Sequence, residues 1–292
     1  MPDADRLFEA AAARLIAHDL PAARALFGEA GAAGRRDAAV IHCNLVASGE
    51  DWQRGIALLR QLAGTSARCR RELDIVEAMT LTATGDPIAP PAGRVIGENP
   101  RLVWFDGLFT EAECRYLVGA ATPMLAPSVV VDQRTGRQVR DPVRTSDGVG
   151  FTLPLENPAV HALNRRIAAA SGTDVGQGEP LQVLRYRPGE QYRPHFDAIP
   201  GFANQRVLTM LVWLNADYAG GETRFMKDGR SLKGKIGDAL LFRNADESGR
   251  RDDGSAHAGL PVTAGEKLIA SRWIRQRAFV PPNAGGKRVT GC

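Results

Sequence analysis

The sequence predicts an α+β protein in which an all-α helical region precedes a double-sheet jelly roll with flanking helices. Helical patterns fill the first 85 residues, a linker rich in Pro and Gly is expected at 85–100, and short β-rich runs occupy much of the remainder. Many short strands after a pair of helices are typical of a jelly roll or barrel. We therefore expect a helical region at 1–88, a second domain at 98–281 and a loose tail at 282–292.

Four segments of the first region carry helical patterns. Ala11 and Leu15 lie on one stripe of the first segment, and Pro21 stands where a second helix can begin. The later segments are DAAVIHCNLVASG and DWQRGIALLRQLAG, which both end at Gly. ARALF at 23–27 recurs loosely as GIALL at 55–59, a shift of 32 residues. This pattern predicts a short tetratricopeptide- or Sel1-like array, and a plain bundle of four or five helices is the alternative.

The second region combines two helical patterns with strand-like runs. The helical patterns cover 110–120 and 158–170. The strand-like runs are RLVWF (101–105), PLQVLRY (180–186), RVLTMLVWLN (206–215), DALLFR (238–243) and KLIASRWI (267–274). We expect these runs to supply the sheets of the jelly roll.

Composition and charge are those of an ordinary globular protein. The 292 residues are 44% hydrophobic and 24% charged, and the net charge is +4. The four cysteines are scattered and form no C-x-x-C pair, which argues against zinc ribbons and disulfide frameworks and for a reducing compartment. The N-terminal stretch has no secretory-signal pattern, and no apolar run approaches ~20 residues. We expect a cytoplasmic protein with no membrane partner, and no nucleic-acid partner because the basic residues lack a base-stacking pattern.

The stretch YRPGEQYRPHFDAIPG (186–201) places His195 two residues before Asp197. In a β-strand these two side chains would point to the same face. His257 begins another strand-like run, HAGLPV, which a jelly roll can bring opposite the first. Two imidazoles and one carboxylate form the facial triad that holds non-haem Fe(II) with open positions. The same ligands with a water also suit zinc, and three polar residues of unrelated function are a further alternative.

Lys267 follows His257 by ten residues and begins the apolar run KLIASRWI. A lysine at the start of a buried strand costs free energy unless it meets an anion. We expect that anion to be the carboxylate of a co-substrate that chelates the metal through its other end.

These motifs together resemble the prolyl 4-hydroxylase branch of the Fe(II)/2-oxoglutarate dioxygenases. In the order and spacing of that family they are VRTSDGVGF, LQVLRYRPGEQYRPHFD, QRVLTMLVWLN, GGETRF, KGKIGDALLF and HAGLPVTAGEKLIASRWI. The resemblance covers about 98–280 and implies a double-stranded β-helix (jelly roll) as the catalytic domain. It also implies Fe(II) as cofactor, 2-oxoglutarate and O2 as co-substrates, and ascorbate as a supporting reductant.

The resemblance implies a role for each matching position. The positions of the catalytic iron ligands are those of His195, Asp197 and His257. The positions that bind 2-oxoglutarate are those of Lys267, Tyr186 and Thr223. The positions around the substrate proline are those of Tyr192, Arg206, Trp273 and Glu179. Trp213 stands where many members have a tyrosine, so the back wall of the co-substrate pocket is expected to differ.

The function that the resemblance implies is prolyl 4-hydroxylation of a peptide or protein. Arg206 is expected to bind a substrate carbonyl while Trp273 and Tyr192 pack against the pyrrolidine ring. One alternative keeps the chemistry on a free amino acid or a natural-product precursor, and another is a non-catalytic jelly-roll binding module. The N-terminal helices are expected to dock a protein partner, and a chain that begins near Arg94 is expected to fold without them.

Overall fold

The structure, a computed structural model, describes most of the chain in two compact units. The described ranges are 3–49, 51–89, 91–131, 138–140 and 143–280. The first unit combines the residues before 90 with 151–165, and the second combines 90–150 with 166–279. The predicted loose tail at 282–292 lies outside the described residues.

The described part of the chain contains seven α-helices. They are α1 (Ala4–Ile16), α2 (Leu20–Ala32), α3 (Arg36–Gly49), α4 (Trp52–Ala63), α5 (Ala67–Ala78), α6 (Glu111–Ala121) and α7 (Pro158–Ser171). Local capping sets several of their starts, because Asp51, Ser66 and Thr110 each accept a hydrogen bond from the backbone N–H three residues later. The helical nature of the first region is thus confirmed, whereas its repeat character stays a prediction.

Small side chains dominate the core of the first unit. Ala11, Ala23, Ala30 and Ala38 are fully buried around Phe27. Residues without long side chains let helix backbones approach closely, so the core is built from alanine and a few large apolar residues. Helix α5 was not identified from the sequence, although Cys69, Leu73 and Val76 lie at helical spacing on its buried face within an otherwise polar segment.

Sixteen short strands occur in the same described ranges. They are β1 (Arg94–Glu98), β2 (Arg101–Phe105), β3 (Ala126–Pro127), β4 (Val129–Val131), β5 (Gln138–Arg140), β6 (Asp147–Gly150), β7 (Gln182–Tyr186), β8 (Tyr192–His195), β9 (Arg206–Trp213), β10 (Tyr218–Gly220), β11 (Thr223–Phe225), β12 (Ser231–Leu232), β13 (Ala239–Arg243), β14 (His257–Gly259), β15 (Val262–Gly265) and β16 (Lys267–Arg275). The stretch 85–100 was predicted as a linker, but strand β1 lies within it and pairs with β2.

Two antiparallel sheets define the second unit. As far as the described residues show, the larger sheet has the order β1-β2-β13-β9-β16-β7-β6-β3 and the smaller has the order β12-β11-β14-β8. The chain alternates between them, since β7, β9, β13 and β16 belong to the larger sheet and β8, β11, β12 and β14 to the smaller. This alternation is the jelly roll expected from the sequence, and the fold class is confirmed.

Aromatic residues fill the core of the second unit. Phe225 of the smaller sheet meets Phe242 of the larger one edge to face, with ring centroids 5.4 Å apart. Trp104 and Trp213 pack at 5.2 Å within the same cluster. Among the helices that the structure describes, none has the length and apolar character needed to cross a membrane.

Candidate active site

Two neighbouring strands of the smaller sheet carry the two histidines. His195 ends β8 and His257 begins β14, and antiparallel pairing places the two residues opposite each other. Asp197 was expected on the same strand as His195, but it lies in a bend two residues after β8 ends. The bend nevertheless returns its carboxylate to the histidines. One ligand atom from each of the three residues lies within 4.8 Å of the others.

The spacing of these atoms suits a metal ion. His195 Nε2 is 3.6 Å from Asp197 Oδ1, and His257 Nε2 is 3.8 Å from Asp197 Oδ2. Bonds of about 2 Å to one ion would put neighbouring ligand atoms roughly 3–3.5 Å apart. Small shifts of the side chains would therefore bring the three atoms to bonding distance, and the residues fit an iron ion with open positions.

Backbone carbonyls fix the tautomer of both imidazoles. His195 Nδ1 lies 2.7 Å from the Arg193 carbonyl oxygen, and His257 Nδ1 lies 2.9 Å from that of Ser255. A carbonyl oxygen can only accept, so each Nδ1 carries the proton and donates. Each Nε2 then keeps its lone pair for a metal, which is the arrangement that metal-binding histidines adopt in proteins.

The charges at this centre favour a cation. Burial, with His195 beside it, lowers the pKa of His257 to about 4, so the His257 imidazole is neutral near pH 7. Burial raises the pKa of the Asp197 carboxyl, but the two imidazoles and a hydrogen bond from the Thr209 hydroxyl lower it well below its usual range. A neutral imidazole and an ionised carboxylate are the ligand forms that bind metals.

Aromatic rings hold the histidines in place. The Tyr192 ring stacks on that of His195 at 3.4 Å between centroids, and Phe242 meets the His257 ring edge to face at 4.7 Å. Rings packed in this way cannot rotate freely, so the imidazole orientations are set before any metal binds.

A cleft extends from the three ligands to Lys267, which lies at its far end. Lys267 begins β16 opposite Tyr186 of β7, and its Nζ donates to the Gly221 carbonyl oxygen at 2.6 Å. Burial lowers the pKa of Lys267 to about 8, against the opposing effect of Glu222. The ammonium is therefore still charged at pH 7 and is well placed to meet an anion.

Tyr186 and Thr223 line the cleft between the metal ligands and Lys267. Burial raises the pKa of Tyr186 to about 12, so its phenol keeps the proton and can donate a hydrogen bond. Apolar walls complete this part, formed by Leu184, Leu211 and Ile269. A dicarboxylate that reaches from the metal to Lys267 would thus meet hydrogen-bond donors at its charged groups and apolar walls along its methylenes.

Trp273 lines the cleft at the side away from Lys267 and is nine-tenths buried. Its indole Nε1 has no hydrogen-bond partner among the described residues. The Arg206 guanidinium stacks on the Trp273 ring at 3.6 Å to the ring centroid. Glu179 accepts hydrogen bonds from Arg206 Nε at 2.6 Å and Nη2 at 2.9 Å, and Arg275 Nη2 lies 2.6 Å from the same carboxylate.

Comparisons with known proteins agree with this geometry. Residues 181–275 match the family described as 2OG-Fe(II) oxygenase superfamily. Prolyl 4-hydroxylase 1 of Arabidopsis thaliana is 38% identical over 204 residues, which are 63% of this chain and 72% of the relative. Prolyl 4-hydroxylase 5 of the same plant is 34% identical over 210 residues, 64% of this chain and 72% of that relative. The chain belongs to the prolyl 4-hydroxylase family.

A solved structure of a prolyl hydroxylase also resembles this chain, in agreement with its place in the family. The viral collagen prolyl hydroxylase of Paramecium Bursaria Chlorella virus-1, in its 2OG complex, aligns with a TM-score of 0.50 and 28% sequence identity. The alignment covers 60% of this chain and 96% of the viral one. As a member of the family, the protein is an Fe(II)- and 2-oxoglutarate-dependent dioxygenase, which confirms the enzyme class and the iron and 2-oxoglutarate expected from the sequence.

Trp213, the residue expected to alter the back wall of the co-substrate pocket, packs into the core of this prolyl 4-hydroxylase family member. Trp213 is fully buried against Trp104, and it is absent from the described residues that line the cleft. Sequence comparison alone could not show this, because the side chain of a core strand can end in the core or at the cavity wall. The expectation of an altered back wall through Trp213 stays a prediction.

Several residues of the cleft were not identified from the sequence. Ile269 and Ser271 line it together with Lys267 and Trp273. These four occupy every second position of β16, so the period of two in the run KLIASRW was the signal that could have revealed them. Arg144 also lines the cleft and forms a β-bridge with Tyr192, a contact that no local pattern indicates.

Proposed function

We propose that the protein hydroxylates a prolyl residue of a peptide or protein substrate. The observation that carries the proposal is the convergence of His195, Asp197 and His257 at one end of a cleft whose other end holds Lys267. A dicarboxylate can chelate a metal held by the three ligands with one end and bind the Lys267 ammonium with the other. The proline-specific part of the proposal rests on the family and on the residues around Trp273.

Bound iron, 2-oxoglutarate and O2 would supply the oxidising power that replaces a C–H hydrogen by hydroxyl and releases succinate and CO2. The protein's own residues would hold and orient these groups. His195, Asp197 and His257 would ligate the iron through the two Nε2 atoms and the carboxylate. Lys267 would bind the distal carboxylate of 2-oxoglutarate by a charge-assisted hydrogen bond.

The substrate side of the cleft favours a neutral ligand over a charged one. Glu179 accepts from Nε and Nη2 on one edge of Arg206, so its carboxylate neutralises part of the charge of this guanidinium and leaves only the other edge to a substrate. That edge of Arg206 and the unpaired indole N–H of Trp273 are donors that suit a peptide carbonyl. A free amino acid would instead bring a carboxylate and an ammonium that these groups do not match.

The test compares a proline-containing peptide, prolinamide and free L-proline as substrates. We expect the peptide to be turned over best and free L-proline to be a poor substrate. Arg206→Ala and Trp273→Ala should lower peptide turnover roughly 10–100-fold while succinate release without substrate continues, because neither residue is among the expected metal or 2-oxoglutarate ligands. Trp273→Phe keeps the ring and removes the donor, so it separates packing from hydrogen bonding.

Arg115→Ala provides a matched control, since this arginine lies on the exposed face of α6 and its one ion pair among the described residues is with Glu111. It should leave peptide turnover unchanged. Efficient hydroxylation of free L-proline with inert peptides would overturn the peptide assignment in favour of an amino-acid hydroxylase.

We further propose that helices α1–α4 form two tetratricopeptide- or Sel1-like repeats that dock a protein partner. The support is that residues 32 positions apart, which are similar in the sequence, are also buried in corresponding places on α2 and α4. Ala23 and Phe27 of α2 are buried, and so are Gly55 and Leu59 of α4. Pull-down with the full chain as bait would test for such a partner. A protein that binds the full chain, but not a variant whose solvent-facing residues on α1–α4 are replaced by alanine, would support the proposal.

We also propose a reducing compartment, the cytoplasm, as the location. Cys43, Cys69 and Cys114 are buried free thiols in the described part of the chain. Fractionation of cells that produce the tagged protein tests this location.

A further inference from the structure

A chain of two hydrogen bonds runs from the larger sheet to the Asp197 carboxylate. Thr209 Oγ1 lies 2.6 Å from Asp197 Oδ2, and Asn244 Nδ2 lies 2.7 Å from Thr209 Oγ1. The three residues are almost inaccessible to solvent, with exposures of 4% for Asp197, 1% for Thr209 and 0% for Asn244. Neither Thr209 nor Asn244 is among the residues that line the cleft, within the part of the chain that the structure describes.

Chemistry fixes the direction of both hydrogen bonds. An ionised carboxylate can only accept, so the single hydroxyl proton of Thr209 must point to Asp197. Thr209 Oγ1 then has lone pairs only, and the group that faces it must be a donor. The amide of Asn244 therefore presents its NH2 group, because the reverse orientation would set two oxygens face to face without a proton between them.

The backbone holds both residues rigidly. Thr209 is in the middle of β9 and is paired on one side with Phe242 of β13 and on the other with Trp273 of β16. Asn244 follows β13, and its backbone N–H donates to the Val207 carbonyl while its own carbonyl accepts from Asp252. By contrast, Asp197 lies in a bend outside any strand, so its own backbone pairing does not fix its carboxylate.

We propose that Thr209, oriented by Asn244, is the positioning residue that fixes the Asp197 carboxylate for metal binding. The Thr209 hydroxyl occupies Oδ2 and prevents rotation of the carboxylate, while Asn244 keeps the hydroxyl proton directed at it. The rigid larger sheet thereby holds the one ligand that the smaller sheet does not carry on a strand. This inference rests on the proposed function, in that it takes His195, Asp197 and His257 to be the metal ligands.

Binding of Mn(II) to the full chain, without 2-oxoglutarate, tests the proposal. The free Mn(II) ion is measured by electron paramagnetic resonance, and unfolding temperatures are recorded for the same metal-free samples. Thr209→Val keeps the shape and removes the hydroxyl, and it should weaken Mn(II) binding about 10–100-fold, the usual effect of losing an outer-shell partner. Thr209→Ser keeps the hydroxyl and should bind Mn(II) nearly as the unchanged protein does.

A double variant separates positioning from stability. Thr209→Val alone leaves the Asn244 NH2 group buried without an acceptor and the Asp197 carboxylate without this donor, which destabilises the fold. Thr209→Val combined with Asn244→Leu removes the unpaired NH2 group, so the unfolding temperature should rise above that of Thr209→Val while Mn(II) binding stays weak. If Thr209→Val does not fold, the double variant gives the same comparison with the unchanged protein.

Two results would overturn the proposal. One is Mn(II) binding by Thr209→Val as tight as that of the unchanged protein, and the other is recovery of both stability and tight binding in the double variant. His257→Ala distinguishes these results from failure of the metal site itself. If His257→Ala binds Mn(II) as tightly as the unchanged protein, the three residues are not the ligands and the proposed function fails with them.

Discussion

Burial lowers the pKa of the Lys267 side chain. A buried, charged lysine at the start of a strand is the feature that most clearly indicates a pocket for an anionic co-substrate. Its ammonium has been removed from water, and its one hydrogen bond among the described residues is to the Gly221 carbonyl. The pKa of Lys267 falls to about 8 as a result. A bound dicarboxylate would supply the missing negative charge and raise that pKa again.

The apparent affinity for 2-oxoglutarate should therefore depend on pH. Below the pKa of about 8 the Lys267 ammonium is charged and affinity is at its maximum; above it the side chain loses its proton and affinity falls. The KM for 2-oxoglutarate, measured from succinate release on both sides of that pH, should rise on the alkaline side. Lys267→Arg should weaken binding but remove this pH dependence, because a guanidinium stays protonated.

Removing the charge altogether gives a second check at this position. Lys267→Ala should raise the KM for 2-oxoglutarate roughly 10–100-fold, the value of one charge-assisted hydrogen bond, and should leave Mn(II) binding unchanged. A KM that matches that of the unchanged protein would show that the distal carboxylate is bound elsewhere.

At the scale of elements, the turn between β10 and β11 sets the position of the Lys267 partner. Gly220 and Gly221 both have a φ of +68°, a left-handed conformation that glycine adopts without strain. A Cβ on Gly221 would lie 3.2 Å from Lys267 Cδ and 3.1 Å from Val262 Cγ2. The turn needs glycine for its backbone conformation and also for its close approach to the lysine.

Gly221→Ala should therefore affect stability and co-substrate binding together. We expect a loss of about 1–2 kcal/mol in the free energy of unfolding from the left-handed conformation alone, measured by urea titration. The KM for 2-oxoglutarate should rise as well, because the carbonyl that holds Lys267 moves. A Gly221→Ala protein with unchanged stability would show that the turn relaxes to another conformation.

Gly119→Ala is the matched control for this substitution. Gly119 lies within α6, and no described atom outside the helix's own backbone and Gly119's two neighbours lies within 4 Å of the Cβ that alanine would add there. Since alanine is the better helix former, this change should stabilise the protein by about 0.5–1 kcal/mol and leave the KM for 2-oxoglutarate unchanged.

At the scale of the whole molecule, the first unit is completed by a segment from later in the chain. Residues 151–165 belong to it together with the N-terminal helices. Asn44 donates to the Pro154 carbonyl, and Arg165 forms an ion pair with Asp86 at 2.7 Å. His161, buried in the same segment, is bonded to Glu156.

This composition changes the expectation for a shortened chain. A protein that begins at Arg94 would keep 151–165 but lose the helices that contact it, so Leu153, which packs on the Phe27 cluster, and His161, which packs near Trp52, would become more exposed. We expect such a chain to be poorly soluble or to melt at a markedly lower temperature than the full chain, in contrast to the independent folding expected from the sequence. Unchanged solubility and cooperative unfolding would restore the simpler division at 88–98.

Local patterns in the sequence were sufficient for most of the longer strands and for six of the seven helices that the structure describes. Strand β2 lies where RLVWF predicts it, and α6 and α7 agree with their predicted helices within one residue. Periodicity and capping act over a few residues, so they can be recognised without knowledge of the fold. Strand β1 was missed because Pro and Gly surround it, and its stability comes from pairing with β2.

The sequence by itself determined the chemical content of the site: an H-x-D pair, a distant histidine and a lysine ten residues later. Only the tertiary structure decided which side chains meet across strands. It paired Arg206 with Glu179, placed Asp197 in a bend and set Thr209 and Asn244 behind it. The physical reason is that such contacts join residues tens of positions apart, and strand register and side-chain direction across two sheets decide whether they form.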